Sequence, residues 1–150
     1  MLELKELFQI NAYIDPALIT QGGPLGDRHF IAIPGGTIDG ERIRGKFLAG
    51  GSDVGLMRAD GVFVIDVRTP LELDDGTIIY MRGSGMTHGP EEVMQNIAEG
   101  VDVDPSLYYF REAFFFEAPS GNYEWLNRLI AIGKGAVSKD AVKIDVFEVS

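Results

Sequence analysis

Leu107–Ile132, LYYFREAFFFEAPSGNYEWLNRLIAI, carries more than half of the chain's aromatic residues, and its reading decides the fold. Two runs rich in Phe, Tyr, Trp, Leu and Ile flank Ala118-Pro119-Ser120-Gly121-Asn122, a cluster of turn formers. β-propensity this dense around such a loop predicts a hairpin of strands 107–117 and 123–132. With Glu117 set opposite Tyr123, period-two alternation sorts the side chains onto two faces. One face carries Tyr109, Arg111, Ala113, Phe115 and Glu117 against Tyr123, Trp125, Asn127, Leu129 and Ala131. The other sets Phe110 against Ile130, Phe114 against Leu126, and Glu112 against Arg128 as an ion pair. The first reads as a ligand wall and the second as packing surface. This sorting hangs on the loop length, because a slip of one residue exchanges the faces.

The same geometry sets a limit. Arg111 and Glu117 lie six positions apart on one strand, about 20 Å at the usual rise, so each needs a partner from another strand. Their plainer roles stand beside the functional ones: Glu117 as a solvated strand end, Trp125 as core packing.

Outward from this ribbon the chain alternates short strands with turns. Phe8, Ile10, Ala12 and Ile14 alternate with polar neighbours over strand 5–14, which Asp15-Pro16 stops. Strands 28–34, 42–48, 62–68, 77–83 and 141–149 follow the same logic, with Asp60-Gly61 and Asp74-Asp75-Gly76 as hairpin signals. Arg42, Arg44 and Lys46 share one side, as on an edge strand guarded by cations. Gly50-Gly51-Ser52-Asp53 reads as a turn from which Asp53 either caps nearby amides or projects into a pocket. Asp66 beside Arg68 reads as a local ion pair or as an oriented carboxylate in a cavity. Pro90–Gly100 has Pro at its start, acids in its first turn and Gly at its end, so it is a short helix covering a barrel mouth or an open face.

Eight strands result, the number at which a closed antiparallel β-barrel is filled by side chains or holds one small ligand. The expected fold is therefore all-β, an eight-stranded calycin- or lipocalin-like barrel with one helix, and a β-sandwich is the competing architecture. A Phe110–Phe116 run apolar on both faces asks for cover on its outer side, from the helix or from a second subunit, so a homodimer is expected.

The bulk numbers restrict the function classes. At 150 residues the chain is one domain with room for a proper core. A net charge of −10 argues against nucleic-acid and anionic-membrane partners, which need basic patches. With no cysteine, thiol nucleophiles, thiolate metal sites and disulfides are excluded. His29 and His88 are the only histidines and no metal-ligand spacing accompanies them, so neither metal nor cofactor is expected. No apolar run approaches transmembrane length, and Glu3, Lys5 and Glu6 near the start are unlike a signal peptide, so the expected location is cytoplasmic.

Taken together, Gly26-Asp27-Arg28, Gly40…Arg42…Gly45, Gly50-Gly51-Ser52-Asp53, Asp66-Val67-Arg68, Asp75-Gly76 with Ile79-Tyr80, Tyr109-Phe110-Arg111, Phe115-Phe116-Glu117 and Tyr123-Glu124-Trp125-Leu126-Asn127 carry a family likeness. Over nearly its whole length the chain resembles a family of small bacterial and fungal barrel proteins known only as a domain of unknown function. The resemblance implies a lipocalin-like or allene-oxide-cyclase-like barrel and no agreed activity. It also implies that Arg111, Phe115, Glu117, Trp125 and Asn127 recur, the same positions the strand pairing puts on one face. Two departures from the family pattern are Val54-Gly55, where an aromatic is usual, and Glu112-Ala113, where Thr and Pro are usual.

Three functions fit these residues. The first is a cofactor-free isomerase, cyclase or lyase acting on a small, partly aromatic or polyketide-like molecule in a dry cavity. Glu117 or Asp53 would serve as acid or base, with Arg111 and Asn127 as oxyanion donors. Trp125, Phe115, Tyr80 and Tyr109 would form the walls. The second is a non-catalytic carrier that sequesters a small hydrophobic or carboxylate ligand, held by Arg28, Arg68 or Arg111, with Asp66 nearby. The third is a structural or assembly module whose aromatic face is an interface.

Overall fold

Along β1 (Leu4–Tyr13), Phe8, Ile10 and Ala12 are buried while Gln9 and Tyr13 face water, and a bulge between Glu6 and Phe8 lets Leu7 turn inward as well. The same alternation marks most of the strands in the computed structural model, which describes residues 1–150. The other strands are β2 (Leu18–Gly23), β3 (Gly26–Ile33), β4 (Gly35–Asp39), β5 (Arg44–Phe47), β6 (Gly51–Met57), β7 (Phe63–Leu73), β8 (Ile78–His88), β9 (Tyr109–Glu117), β10 (Ile130–Val137) and β11 (Ala141–Val149). One helix, α1 (Glu91–Ala98), interrupts them.

Antiparallel pairing runs β1–β4–β5–β7–β8–β9–β10–β11 and back to β1, which closes an eight-stranded barrel. The barrel expected from the strand count is the barrel observed, and the sandwich is not. Pro34, which has no N–H to give a ladder, separates β3 from β4, and Leu48–Gly50 separate β5 from β6. Beyond those breaks β6 pairs with the first half of β7, β3 pairs with β6, and β2 pairs with β3. This flap raises one wall of the barrel and leaves β2 as its free edge.

The two ends differ. At the lower end Leu7, Phe8, Ile38, Ile43, Phe47, Leu71, Leu73, Ile79, Phe116 and Val146 are buried together, with Phe8 and Phe116 edge to face at 5.9 Å. Each large apolar side chain so buried contributes about 1.5–3 kcal/mol. A 3-10 turn at Glu124–Arg128 plugs this end and buries Leu126 completely. At the upper end α1 and the loops after β1 and β10 stand around a mouth.

Four sequence expectations change here. Residues 123–128 form no strand, because the link from β9 to β10 spans Ala118–Leu129 and contains that 3-10 turn. The β9–β10 register therefore sets Phe114 opposite Ala131 and Ala113 opposite Ile132, not Phe114 opposite Leu126. The 42–48 segment is no edge strand either: β5 pairs on both sides, and its cations meet acids, Arg44 with Asp39 and Lys46 with Glu72. Finally, β2, β4 and β6 are strands where the turn-forming residues predict loops and turns.

Candidate functional site

The upper half of the barrel holds a cavity of about 550 Å³ that opens at a mouth. Its walls are mostly aliphatic and aromatic: Ile31, Ile33, Phe63, Ile65, Val67 and Met81, closed on the far side by Phe110, Phe114 and Ile144. Met94 and Ile97 of α1 reach over the mouth, as does Val137 from the end of β10. Volume and lining of this kind suit a small organic molecule.

Two carboxyl groups break the apolar lining. Asp53 lies in β6 opposite Val67, where the β6–β7 ladder is interrupted between its pairs at Asp53 and Leu56. Its Oδ1 accepts the backbone N–H of Asp66 at 2.9 Å, so the side chain stands in for a missing ladder bond. Burial nevertheless dominates and raises its pKa to about 6, against the lowering effect of that hydrogen bond; the Asp66 charge adds to the rise.

Glu112, on β9, is only 4% exposed and has no hydrogen-bonding or ionic partner in the protein. Its carboxyl leans over Gly83 of β8, where a Cβ would collide with Oε2. Glycine at that position makes the space the carboxyl occupies. Burial raises the Glu112 pKa to about 8, and the Asp53 charge pushes in the same direction. Val67 pairs with Asp53 on one side and with Gly83 on the other, so the two carboxyls flank one strand of the same wall.

Cations are scarce here. His29 lines the cavity edge-on to Phe63 at 5.3 Å, and desolvation holds its pKa below the ordinary histidine value. Lys139 stands at the exposed rim. No group of three or more His, Cys, Asp or Glu side chains is arranged to hold a metal ion.

Of the residues singled out in the sequence, Asp53 alone lines this cavity. The face of β9 read as a ligand wall is the outer wall, and Phe110, Glu112, Phe114 and Phe116 point inward. Small residues on β10 make that possible: Cβ atoms at Gly133 and Gly135 would collide with the rings of Phe114 and Phe110. Arg111 lies over the ring of Tyr109 at 4.9 Å, which also stacks on His88, all on the outer surface. Arg82 covers the exposed Phe115 at 4.9 Å. Glu117 is exposed opposite Tyr80, which also lies on the outer side of β8.

Trp125 is at the closed end, under the guanidinium of Arg42 at 4.5 Å, with its Nε1 donating to the carbonyl of Asn122. Asn127 is no oxyanion donor in this arrangement. Its amide clamps the Ala118 backbone, accepting from the N–H at 2.7 Å and donating to the carbonyl at 2.9 Å. Arg28 donates to the carbonyl of Val54, and Arg68 stands 4.0 Å from Asp66 on the exterior. The ion pair expected between Glu112 and Arg128 is absent, since Glu112 faces the other way.

Glu112, Gly83 and His29 are what the sequence reading missed. A usable signal existed. The inward set at 110, 114 and 116 is all Phe, more apolar than the set holding Arg111 and Glu117, and hydrophobicity alone would have turned it to the core. A second depression, about 590 Å³, lies outside the lower end near Glu6, Arg42 and Arg44. Its arginines are already paired, with Glu148 and Asp39, and it offers no buried titratable group.

A family described as a protein of unknown function, DUF3237, matches residues 2–149. A UPF0311 protein of Rhodopseudomonas palustris strain TIE-1 is 38% identical over 150 residues, covering 99% of this chain and 97% of the relative. The crystal structure of the conserved protein of unknown function RPA1785 from the same species matches at TM-score 0.96 and 34% identity, over 100% of this chain and 99% of that one. A beta-barrel like protein of Acinetobacter baumannii AYE matches at TM-score 0.87 and 34% identity, over 100% and 97%. An enzyme from Penicillium herquei shares the fold at TM-score 0.72 and 21% identity, over 100% and 94%.

Proposed function

The chain belongs to the DUF3237 family of barrel proteins of unknown function, and from its cavity we infer a cofactor-free acid–base catalyst, an isomerase, cyclase or lyase. Its substrate is one small, largely apolar molecule, partly aromatic or polyketide-like, held in the upper half of the barrel. One observation carries this reading: Asp53 and Glu112 share a single apolar cavity, and their surroundings set their pKa values on either side of neutrality. Paired carboxyls pushed apart in this way divide the roles of base and acid.

At pH 7 Asp53 has released its proton while Glu112 keeps one. A substrate lying between them gives a proton to Asp53 and receives one from Glu112, on a carbonyl oxygen or a carbon. The substrate's composition is unchanged by that exchange, which is an isomerisation or a ring closure. The protein is left with Asp53 protonated and Glu112 ionised, and a proton passing back through water restores it. Apolar walls keep bulk water from intercepting the intermediate. That a structural relative at low identity is an enzyme is compatible with this reading.

The same cavity would serve a carrier, and one experiment separates the two. The protein, Asp53→Asn and Glu112→Gln are incubated with fractionated small-molecule extracts, and products are followed by chromatography with mass detection. The expected result is a change without gain of mass that the parent catalyses and either variant slows at least 100-fold while still binding the compound. A parent that binds a cavity ligand and returns it unaltered, or variants that match its rate, would overturn the proposal.

A further inference from the structure

We propose that the cavity selects its ligand by the sign of its charge, taking an apolar molecule whose polar end is an ammonium group in preference to an uncharged one, and excluding carboxylates and phosphates. This rests on the reading of that cavity as the functional site. The titratable groups on its walls and rim are Asp15, Asp53, Glu99, Glu112 and Asp140, against Lys139 and an uncharged His29. Lys139 lies at the exposed rim, with its stem beside Gly100. None of the arginines lines the cavity, so no guanidinium can reach an anion held there.

The acids alone would describe a solvated rim. Glu112 adds an independent observation. It is a buried carboxyl without a protein partner, aimed into the cavity with Gly83 cleared behind it. Asp53 satisfies one oxygen with the Asp66 N–H and leaves Oδ2 without a protein donor or cation. Asp53, ionised at neutral pH, is a buried carboxylate without a cation, and its cost, like that of ionising the protonated Glu112, is offset most directly by a positive group brought in by the ligand. An anion would add a like charge beside the unpaired Asp53 carboxylate in a low-dielectric space. The rings of Phe63, Phe110 and Phe114 in the walls also favour a cation over an anion.

Three probes of one shape decide the matter: 2-(1-naphthyl)ethylamine, 2-(1-naphthyl)ethanol and 1-naphthylacetate, titrated into the protein at pH 7.5. Methyl resonances of Met81 and Ile65 report binding in the cavity. The amine is expected to bind at least 10-fold tighter than the alcohol, and the acid at least 10-fold weaker. In Asp53→Asn the amine and the alcohol converge to within 3-fold while the alcohol keeps its parent affinity. The inference is overturned if the acid matches the alcohol, if the amine binds no tighter than the alcohol or leaves those methyls unmoved, or if its advantage survives in both Asp53→Asn and Glu112→Gln. Failure of catalysis reads differently: a carrier would keep this order of affinities with no turnover, and a catalyst that prefers anions would keep turnover and lose the order.

Discussion

The lower half of the barrel is packed solid and the upper half is hollow, although the same strands run through both. Below, β5 closes against the second half of β7, and Leu71, Leu73, Ile79 and Phe116 fill the space under the 3-10 plug. Above, the wall passes to β6 and β3, and the lining sets Asp53 and His29 among its apolar side chains, with Gly55 clearing space for the ring of Phe63. One half contributes stability. The other gives some of it up to keep two carboxyls out of water, a common division between scaffold and site.

That contrast can be broken from either side. The largest effect is expected at the plug. Leu126→Ala should cost about 2–5 kcal/mol in denaturant unfolding, whereas Met57→Ala, on the wall of the existing cavity, should cost less than about 1 kcal/mol. Equal losses at the two sites would show that the ends are packed alike.

The next effect has the opposite sign. A carboxyl whose pKa is higher in the folded than in the unfolded chain contributes stability that is complete below the unfolded value and lost as pH rises through the folded one. For Glu112 that window runs from 4.5 to about 8, and for Asp53 from 3.8 to about 6. Glu112→Gln should therefore stabilise the protein by roughly 2–4 kcal/mol at pH 8 and by almost nothing at pH 4. Thermal unfolding of both proteins across that range checks it, and a variant less stable at pH 8 would mean that Glu112 has a partner there.

A smaller change tests the space behind the carboxyl. Gly83→Ala should cost about 1–3 kcal/mol by crowding Glu112 and the Phe114 ring, and Glu112→Ala in the same chain should return part of it. If the two substitutions simply add, the carboxyl does not sit over Gly83. The smallest effect is expected on the outer wall. Glu117→Gln and Arg111→Ala should each change stability by no more than about 0.5 kcal/mol, with ligand affinity unaltered.

Much of this molecule was legible in its residues. β1, β7, β8 and β11 follow alternation and turn chemistry, with Asp75-Gly76 at the β7–β8 hairpin holding the Thr77 N–H on the Asp75 carboxylate. The helix signature at Pro90–Gly100 places α1, and eight strands pointed to closure. Asp53 was legible as a candidate, but as the end of a turn, since its glycines hide that β6 begins there. Glu112 was not, because an ion pair with Arg128 across a short hairpin is the plainer explanation of a charge at that position. That pairing presupposed a five-residue loop where the chain uses Ala118–Leu129.

By itself the sequence determined which side chains of each strand travel together, because period-two alternation is a property of the backbone. It also determined the strand-rich class and the single covering helix. Only the tertiary structure decided which of the two sets on β9 faces inward. The reason is physical: the inside of a barrel is set by closure, and closure depends on what the neighbouring strands offer across the pleat. Gly83, Gly133 and Gly135 leave room for Glu112, Phe114 and Phe110 on that side alone, and those contacts join residues far apart along the chain.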